Sequence, residues 1–147
     1  MALNKRYGQE GINGQWTCGV LLQTPTQVVM VKEDLGREPI YFKIPGGRRR
    51  PQDDTPEDTA VREVFEETGI RISPDELDYV LQQNRRNHLY HFYTVNLGED
   101  RIKERYTVAK NCEQVHVLAR DDLKNKKPEI LPHHFELLES RRLGLTL

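Results

Sequence analysis

Three glutamates, Glu63, Glu66 and Glu67, lie within five residues of one another in the segment REVFEETGI. On a helix each residue advances about 100°, so the three carboxylates would share an arc of about 100° on one face. Like charges three or four residues apart repel by about 0.2–0.5 kcal/mol per pair. A hard divalent cation such as Mg²⁺ or Mn²⁺ would remove this cost, because such ions prefer carboxylate oxygens. The pattern indicates a metal site, and its alternative is a solvated acidic face.

The residues around the glutamates predict a helix over residues 55–68. Thr55 is a favourable N-cap, Asp58 completes a capping box, and Gly69 stands where a glycine commonly ends a helix. The last two glutamates then lie near the C-terminal end, where the helix dipole disfavours anions, and this weighs against a solvated face. The apolar side chains beside the acidic arc are predicted to pack inward: Ala60, Val61, Val64 and Phe65.

The helix is preceded by the segment IPGGRRRPQDD, whose prolines and glycines predict an irregular loop. Three consecutive arginines, Arg48, Arg49 and Arg50, occur in it. They are candidates for substrate binding, because the guanidinium fork matches the geometry of a phosphate group. A solvated cluster of arginines explains the sequence equally well.

The stretch GGRRRPQDDTPEDTAVREVFEETGI, residues 47–70 with its preceding glycine, resembles the signature of the Nudix hydrolases. That signature is G-x5-E-x7-R-E-U-x-E-E-x-G-U, where U is a bulky aliphatic residue. The second half matches at every signature position: Arg62, Glu63, Val64, Glu66, Glu67, Gly69 and Ile70. The first half departs from it, because Asp54 stands where the signature has Glu and six residues separate it from Gly47. This alignment predicts a loop one residue longer than usual.

The resemblance implies an α/β (α+β) fold, an α/β/α sandwich with a mixed β-sheet between helices, as a single domain over residues 1–147. It implies that Glu63, Glu66 and Glu67 are catalytic residues and bind Mg²⁺ or Mn²⁺, and that Arg62 holds them in place. The Gly46 carbonyl would complete the metal shell, and Asp54 would tie the loop to the helix. One more acid from a later loop is expected as a ligand, with candidates in the order Glu113, Glu104 and Glu99.

The reaction implied by the resemblance is hydrolysis of a phosphoanhydride bond in a nucleoside diphosphate linked to another group. The metal would position and activate water, and a glutamate or metal-bound hydroxide would act as the base. The alternative is a Nudix-fold nucleotide-binding or regulatory module without turnover, motivated by the altered first half of the signature. An enzyme acting on RNA 5′ ends is a weaker possibility, because the net charge is −1 and no long basic stripe occurs. A homodimer is possible.

The composition predicts a cytoplasmic protein. The chain is 36% hydrophobic and 31% charged, and no apolar run approaches the roughly 20 residues of a membrane helix. No apolar region of a secretion signal is present at the N-terminus. Cys18 and Cys112 are predicted to be buried free thiols.

Strands are predicted in WTCGVLLQTPTQVVMVKE, as two strands around a turn, and in PIYFKI, HLYHFYTVNL and EQVHVLA, with a C-terminal helix from near Pro132. Trp16 and Phe42 are expected in the core, with stacking on a base as the alternative. Arg85 and Arg86 are expected in a surface turn, with a role in lining the pocket as the alternative. The histidines are interpreted as structural, surface or capping residues: His88, His91, His133 and His134.

Overall fold

The computed structural model describes residues 14–32, 39–102, 115–140, 143–145 and 147. The strands in this part of the chain are β1 (Trp16–Gln23), β2 (Gln27–Lys32), β3 (Phe42–Lys43), β4 (Gly46–Arg48), β5 (Asp78–Asn84), β6 (Leu89–Asn96) and β7 (Val115–Ala119). The helices with both ends in the described residues are α1 (Pro56–Thr68) and α2 (Pro132–Leu138), and residues 99–102 are also helical. Short 3₁₀ turns occur at Pro74–Glu76, Arg120–Asp122 and Lys127–Glu129.

The seven strands form one mixed sheet in the order β3-β2-β1-β6-β5, with β4 paired to β1 and β7 paired to β2. β1 runs parallel to β6 and antiparallel to β2 and β4. β4 pairs with the first half of β1, where Cys18 lies opposite Gly47 and Gly19 opposite Gly46. β2 pairs with the end of β1, at Leu22 and Gln23. Strand β1 is therefore paired near its start with Gly46 and Gly47 of β4, here called the glycine segment, and at its end with β2.

The prediction of an irregular segment after Pro45 was wrong for residues 46–48, which form β4. The glycines make this pairing possible, because a Cβ atom on Gly46 would lie 2.0 Å from the Cys18 carbonyl oxygen. Any side chain there would force the two strands apart. The absence of a Cβ atom, read from sequence as a sign of a loop, instead permits close backbone contact.

Helices cover both faces of the sheet. One core cluster joins alternate β1 residues such as Trp16 and Val20 with Ala60 and Val64 of α1. The other joins Leu21 and its neighbours with α2. Because successive strand residues point to opposite faces, both sets are buried, and β1 is apolar over nearly its whole length. The predicted α/β sandwich with a mixed sheet is confirmed.

The start and end of α1 are as predicted. Thr55 accepts a hydrogen bond from the Asp58 amide, and the Asp58 side chain accepts one from the Thr55 amide, which completes the capping box. Gly69 ends the helix with a φ of 77°, a left-handed conformation that favours glycine. These local signals set where the helix begins and therefore the direction of its acidic side chains.

The predicted packing of Phe65 was wrong. Its side chain is 40% exposed, and the Arg71 guanidinium lies 4.2 Å from the centre of its ring. Ala60 and Val64, four residues apart, are fully buried, and Val61 is only partly so. The buried side of α1 also includes Pro56, Thr59 and Thr68, so it is turned away from Phe65, which lies about 100° from Val64.

The other predicted core residues behave as expected. Trp16 and Phe42 are buried, and the Trp16 indole donates to the Thr59 hydroxyl at 2.9 Å. Cys18 is a buried free thiol whose burial raises its pKa, whereas Cys112 lies outside the described residues. His91 is fully buried. Within the described ranges, no helix is both long and apolar enough to cross a membrane.

Substitution of two adjacent helix residues tests this packing. We expect Val64→Ala to lower the free energy of unfolding by about 1.5–3 kcal/mol, because its side chain is fully buried. Phe65→Ala should cost less than about 1 kcal/mol, because it removes an exposed ring and one cation–π contact. Urea denaturation of the two variants measures both values, and an equal or larger loss for Phe65→Ala would contradict the observed helix orientation.

Candidate active site

One guanidinium group, that of Arg62, connects the loop before α1 with two of the glutamates. It donates two hydrogen bonds to the Asp53 carboxylate, from Nε at 3.2 Å and from Nη2 at 2.7 Å. Its Nη1 atom donates to Glu63 at 2.8 Å and to Glu66 at 3.0 Å. Its Nη2 atom also donates to the Arg48 carbonyl oxygen at 2.9 Å. Arg62 thus holds three carboxylates and the end of β4 in one arrangement.

The prediction that Asp54 ties the loop to the helix was wrong, because Asp53 makes this contact. Asp53 is 3% exposed and accepts hydrogen bonds from the Arg50 amide at 2.9 Å and the Thr59 hydroxyl at 2.8 Å, in addition to those from Arg62. Asp54 is exposed, and its described hydrogen bond is made by its backbone amide to Asp58. The buried acid is the one that secures the loop.

The residue that this chain has in addition to the signature does not lie where it was predicted. Five residues separate Gly47 from Asp53, which is the spacing of the Nudix signature, and eight then separate Asp53 from Arg62. The additional residue therefore lies between the acid and the helix arginine. The five-residue spacing was visible in the sequence. The five-residue spacing from Gly47 selects Asp53, whereas the seven-residue spacing to Arg62 selects the adjacent Asp54.

The pKa of Asp53 reflects its position. Burial would raise it, but the hydrogen bonds from Arg62, the Arg50 amide and Thr59 outweigh this effect and lower it from 3.8 to about 2. Asp53 is therefore ionised at any pH near neutrality. The hydrogen bonds that Arg62 donates to Asp53 and, to a lesser extent, to Glu63 raise the pKa of Arg62. The pair is permanently charged, which suits a fixed structural link.

The acidic arc is stabilised by neighbouring donors. Glu66 also pairs with Arg50 at 2.9 Å. Glu67 accepts a hydrogen bond from the Gly46 amide at 2.6 Å, and its other oxygen lies 3.7 Å from Lys43 Nζ. Each glutamate of the arc therefore has at least one cation beside it, which relieves the repulsion among them.

Glu63 lies directly against the glycine segment. A Cβ atom on Gly47 would stand 2.5 Å from the Glu63 carboxyl carbon, so that position must be a glycine for the carboxylate to remain there. Gly46 and Gly47 thus contact Glu67 and Glu63 respectively. The predicted approach of this segment to the glutamates is observed, and ligation of a metal by the Gly46 carbonyl stays a prediction.

The chemistry of these side chains suits a hard divalent cation, because it consists of carboxylate oxygens on one helix face. In the part of the chain that the structure describes, however, no three acidic, histidine or cysteine side chains converge closely enough to hold an ion. Glu63 and Glu66 are directed to Arg62, and Glu67 to Gly46 and Lys43. Binding of a metal would require some of these carboxylates to exchange a present partner.

The three arginines of the loop have different roles. Arg49 stacks 4.1 Å from the Trp16 ring and donates to the carbonyl oxygens of Gly14 and Asp53, so it is structural. Arg50 pairs with Glu66. Arg48 is exposed and makes no ion pair with a described residue. Of the three predicted substrate-binding residues, Arg48 is the one whose guanidinium is not engaged by any described residue in a hydrogen bond or ion pair.

Of the three later acids proposed as further ligands, the structure describes Glu99. Glu113 and Glu104 lie outside the described residues. Glu99 accepts a hydrogen bond from the Thr26 hydroxyl at 3.3 Å, in the turn between β1 and β2. The glycine segment pairs with the opposite end of β1. Glu99 is therefore misplaced for a metal bound at α1.

A cleft that the sequence did not indicate adjoins the glycine segment. Gly46 and Gly47 line it together with Lys43, Arg85, Tyr90 and His134, which come from β3, the β5–β6 turn, β6 and α2. Arg85 was expected in a surface turn, but its side chain faces this cleft, whereas Arg86 is exposed as expected. No spacing in the sequence links residues so far apart.

His134 is not the surface or capping residue that was predicted. Its Nδ1 atom accepts a hydrogen bond from the Ile44 amide at 2.8 Å. An amide nitrogen can only donate, so Nδ1 is unprotonated and the proton of the ring is on Nε2. Burial and the positive charges of His133, Lys43 and Arg85 lower the pKa of His134 to about 3, which keeps the ring neutral.

Two adjacent aspartates provide a direct test of the loop–helix tie. We expect Asp53→Asn to lower the free energy of unfolding by about 2–4 kcal/mol at pH 7, because it leaves the Arg62 charge partly uncompensated. Asp54→Asn, which removes the same charge from an exposed position, should change it by less than about 0.5 kcal/mol. Denaturant titration of both variants measures the difference.

The pH dependence of the same variants gives a second readout. Asp53 has a lowered pKa in the folded chain, so its stabilisation is present above pH 3.8 and is lost as the pH falls toward 2. The stability difference between wild type and Asp53→Asn should therefore shrink over that interval. A difference that stays constant down to pH 2 would contradict the assignment.

Comparison with known sequences identifies the family. The NUDIX domain model matches residues 15–140. The chain is 40% identical over 67 residues to the nucleoside diphosphate-linked moiety X motif 6 protein of Mus musculus, a match that spans 46% of this chain and 21% of that protein. It is 27% identical over 145 residues to a diphosphoinositol polyphosphate phosphohydrolase of Homo sapiens, covering 97% of this chain and 77% of that protein.

Solved structures share the fold. A NUDIX hydrolase from Nitrosomonas europaea superimposes with a TM-score of 0.61 at 18% identity, covering 89% of this chain and 90% of that one. MutT, from a study of the Aliivibrio salmonicida and Vibrio cholerae proteins, gives a TM-score of 0.62 at 15% identity, covering 90% and 98%. With the family model matching most of its length, and with the Arg62 and glutamate cluster on α1, the chain belongs to the Nudix hydrolase family.

Proposed function

We propose that the protein hydrolyses a phosphoanhydride bond in a nucleoside diphosphate linked to another group, with the help of a divalent metal ion. The observation that carries this proposal is the Arg62 cluster, in which one guanidinium positions Glu63 and Glu66 and is itself held by the buried Asp53. The stability of a helix alone does not require carboxylates to be held in this arrangement. The name of the mouse relative, nucleoside diphosphate-linked moiety X motif 6, supports the class of substrate.

Nudix hydrolases generally use divalent metal ions, and we propose Mg²⁺ or Mn²⁺ here, with Glu63, Glu66 and Glu67 as the residues that would hold it. Such an ion supplies charge neutralisation at the phosphate oxygens and lowers the pKa of water. Glu66 would exchange its contact with Arg50, and Glu67 its contact with Lys43, for the ion, while Arg62 continues to hold Glu63 and Glu66. Glu66 is the most accessible of the three, with 37% of its side chain exposed.

The reaction adds water to phosphorus and breaks one bridging P–O bond, so the water proton must be accepted by a base. A glutamate of the α1 arc is proposed to accept it. Arg62 acts as a positioning residue, because all five N–H donors of its guanidinium are used by Asp53, the two glutamates and the Arg48 carbonyl oxygen. The glycine segment fixes the approach of the substrate to these carboxylates, because Gly46 and Gly47 contact two of them.

The alternative, a Nudix-fold binding module without turnover, was motivated by the altered first half of the signature. That motivation is weakened, because Asp53 makes the tie to Arg62 at the usual spacing from Gly47. The ion-paired state of the glutamates is the observation that still favours this alternative. Single-domain organisation over residues 1–147, a cytoplasmic location and a homodimer stay predictions.

The proposed metal site is tested with a double substitution on α1. We expect Glu66→Gln/Glu67→Gln to lower Mg²⁺-dependent hydrolysis by more than about 100-fold, since changes in groups that merely support metal ligands already cost 10–100-fold. The measurement is phosphate or nucleotide release from a panel of nucleoside diphosphate derivatives, with and without Mg²⁺. Calorimetric titration with Mg²⁺ should show the corresponding loss of affinity.

Glu136→Gln/Glu139→Gln is the matched control, because it removes two negative charges from exposed positions at α2. This variant should retain the hydrolysis rate and the Mg²⁺ affinity of the wild type. Equal Mg²⁺ affinity in wild type and Glu66→Gln/Glu67→Gln would exclude the metal site. Specific Mg²⁺ binding without hydrolysis of any compound in the panel would favour the binding module.

A further inference from the structure

The cleft beside the glycine segment has a volume of about 250 Å³. This is less than the roughly 300–1,000 Å³ of a pocket that encloses a drug-sized ligand, so it suits one end of a substrate. Gly46 and Gly47 form part of its wall and also contact Glu67 and Glu63. A molecule bridging the cleft and the acidic arc would therefore cross the glycine segment.

Arg85 provides a positioned positive charge in this cleft. Its guanidinium lies 4.5 Å from the centre of the Tyr90 ring and donates to the Gln83 side-chain oxygen at 2.9 Å. It pairs with no carboxylate of any residue that the structure describes. Stacking on an aromatic ring holds a guanidinium in one plane without neutralising its charge, which leaves its hydrogen-bond donors available to an anion.

Two further donors line the same cleft. Lys43 carries a positive charge at the junction with the acidic arc, 3.7 Å from Glu67. His134 faces the cleft with its proton on Nε2, because Nδ1 accepts from the Ile44 amide. Among the described residues that line the cleft there is no aspartate or glutamate. The wall is therefore rich in donors and positively charged.

We propose that this cleft binds an anionic group of the substrate, a phosphate separate from the phosphoanhydride that is cleaved, through Arg85, Lys43 and the Nε2–H group of His134. The inference rests on the proposed function and narrows its substrate class. The preferred substrates would carry an additional phosphate on the part of the molecule that occupies the cleft. The glutamate arc would act on the diphosphate, and the cleft would select the group attached to it.

A nucleobase is a less suitable occupant. The aromatic ring in the cleft is that of Tyr90, which is only 6% exposed and has the Arg85 guanidinium on it. In the part of the chain that the structure describes, a base would therefore find no exposed aromatic face in the cleft lining. The donors that line the cleft, a guanidinium, an ammonium and an imidazole N–H, match the oxygens of a phosphate group.

The test is a titration of the metal-free protein with inorganic phosphate in EDTA at constant ionic strength, followed by ¹H–¹⁵N NMR. The Ile44 amide is a reporter inside the site, because it donates to His134. We expect the signals of Ile44 and Arg85 to shift on phosphate binding. Arg85→Gln should weaken binding by about tenfold or more, because it removes a charge-assisted contact.

Arg86→Gln is the matched control, because it removes the same charge from the adjacent exposed residue and should change the affinity by less than about twofold. Arg85→Lys keeps the charge without the planar fork, and an intermediate affinity is expected. Equal losses in Arg85→Gln and Arg86→Gln would overturn the proposal, as would unchanged affinity in Arg85→Gln. Adenosine shifting the same signals more strongly than phosphate would make the cleft a base site and would also overturn it.

The titration needs neither metal nor turnover, so its result is independent of the hydrolysis assay. If the glutamate substitutions fail to affect hydrolysis while phosphate still binds at Arg85, the proposed function fails and the anion site stands. In the hydrolysis panel, Arg85→Gln should raise KM about tenfold for compounds bearing an additional phosphate, with kcat nearly unchanged. An equal rise in KM for compounds without that phosphate would refute the proposed selectivity.

Discussion

The buried ion pair between Asp53 and Arg62 is the interaction on which the candidate site depends. It joins the loop after β4 to the middle of α1 by two hydrogen bonds, and the remaining guanidinium donors extend to Glu63, Glu66 and the Arg48 carbonyl oxygen. A charged group with so little access to water is stable only when its donors are satisfied. The geometry of the glutamates is therefore coupled to the position of the loop.

The glycine segment applies a second constraint at the same place. Gly46 must approach the backbone of β1, and Gly47 must leave room for the Glu63 carboxylate. The close approach of Gly46 is needed for strand pairing, and the space at Gly47 is needed for the acidic arc, so two adjacent residues serve different parts of the structure. The same two glycines also line the cleft that contains Arg85 and His134. The short strand β4 thus affects the pairing of the sheet, the placement of the carboxylates and the shape of the cleft.

The charges of the site are divided between the two sides of this strand. The acidic side holds three glutamates whose cations, Arg62, Arg50 and Lys43, are already beside them. The cleft side holds a stacked arginine and a neutral histidine, with Lys43 at the junction. This separation would let one substrate present a diphosphate to a metal-binding face and a further anion to a basic cleft. The lowered pKa of His134 makes its donor role independent of pH near neutrality.

The sequence alone determined the parts of the protein that depend on local signals. The capping box, the glycine stop, the hairpin and the placement of three glutamates on one helix face follow from neighbours within a few residues. Tertiary structure decided which of two adjacent aspartates is buried, because Asp53 bonds to Thr59 and Arg62 of α1, and Thr59 in turn is held by Trp16 of the sheet. It also placed Phe65 at the surface and brought residues 43, 85 and 134 into one cleft. These outcomes depend on contacts between distant segments, for which the spacing of residues along the chain carries no signal.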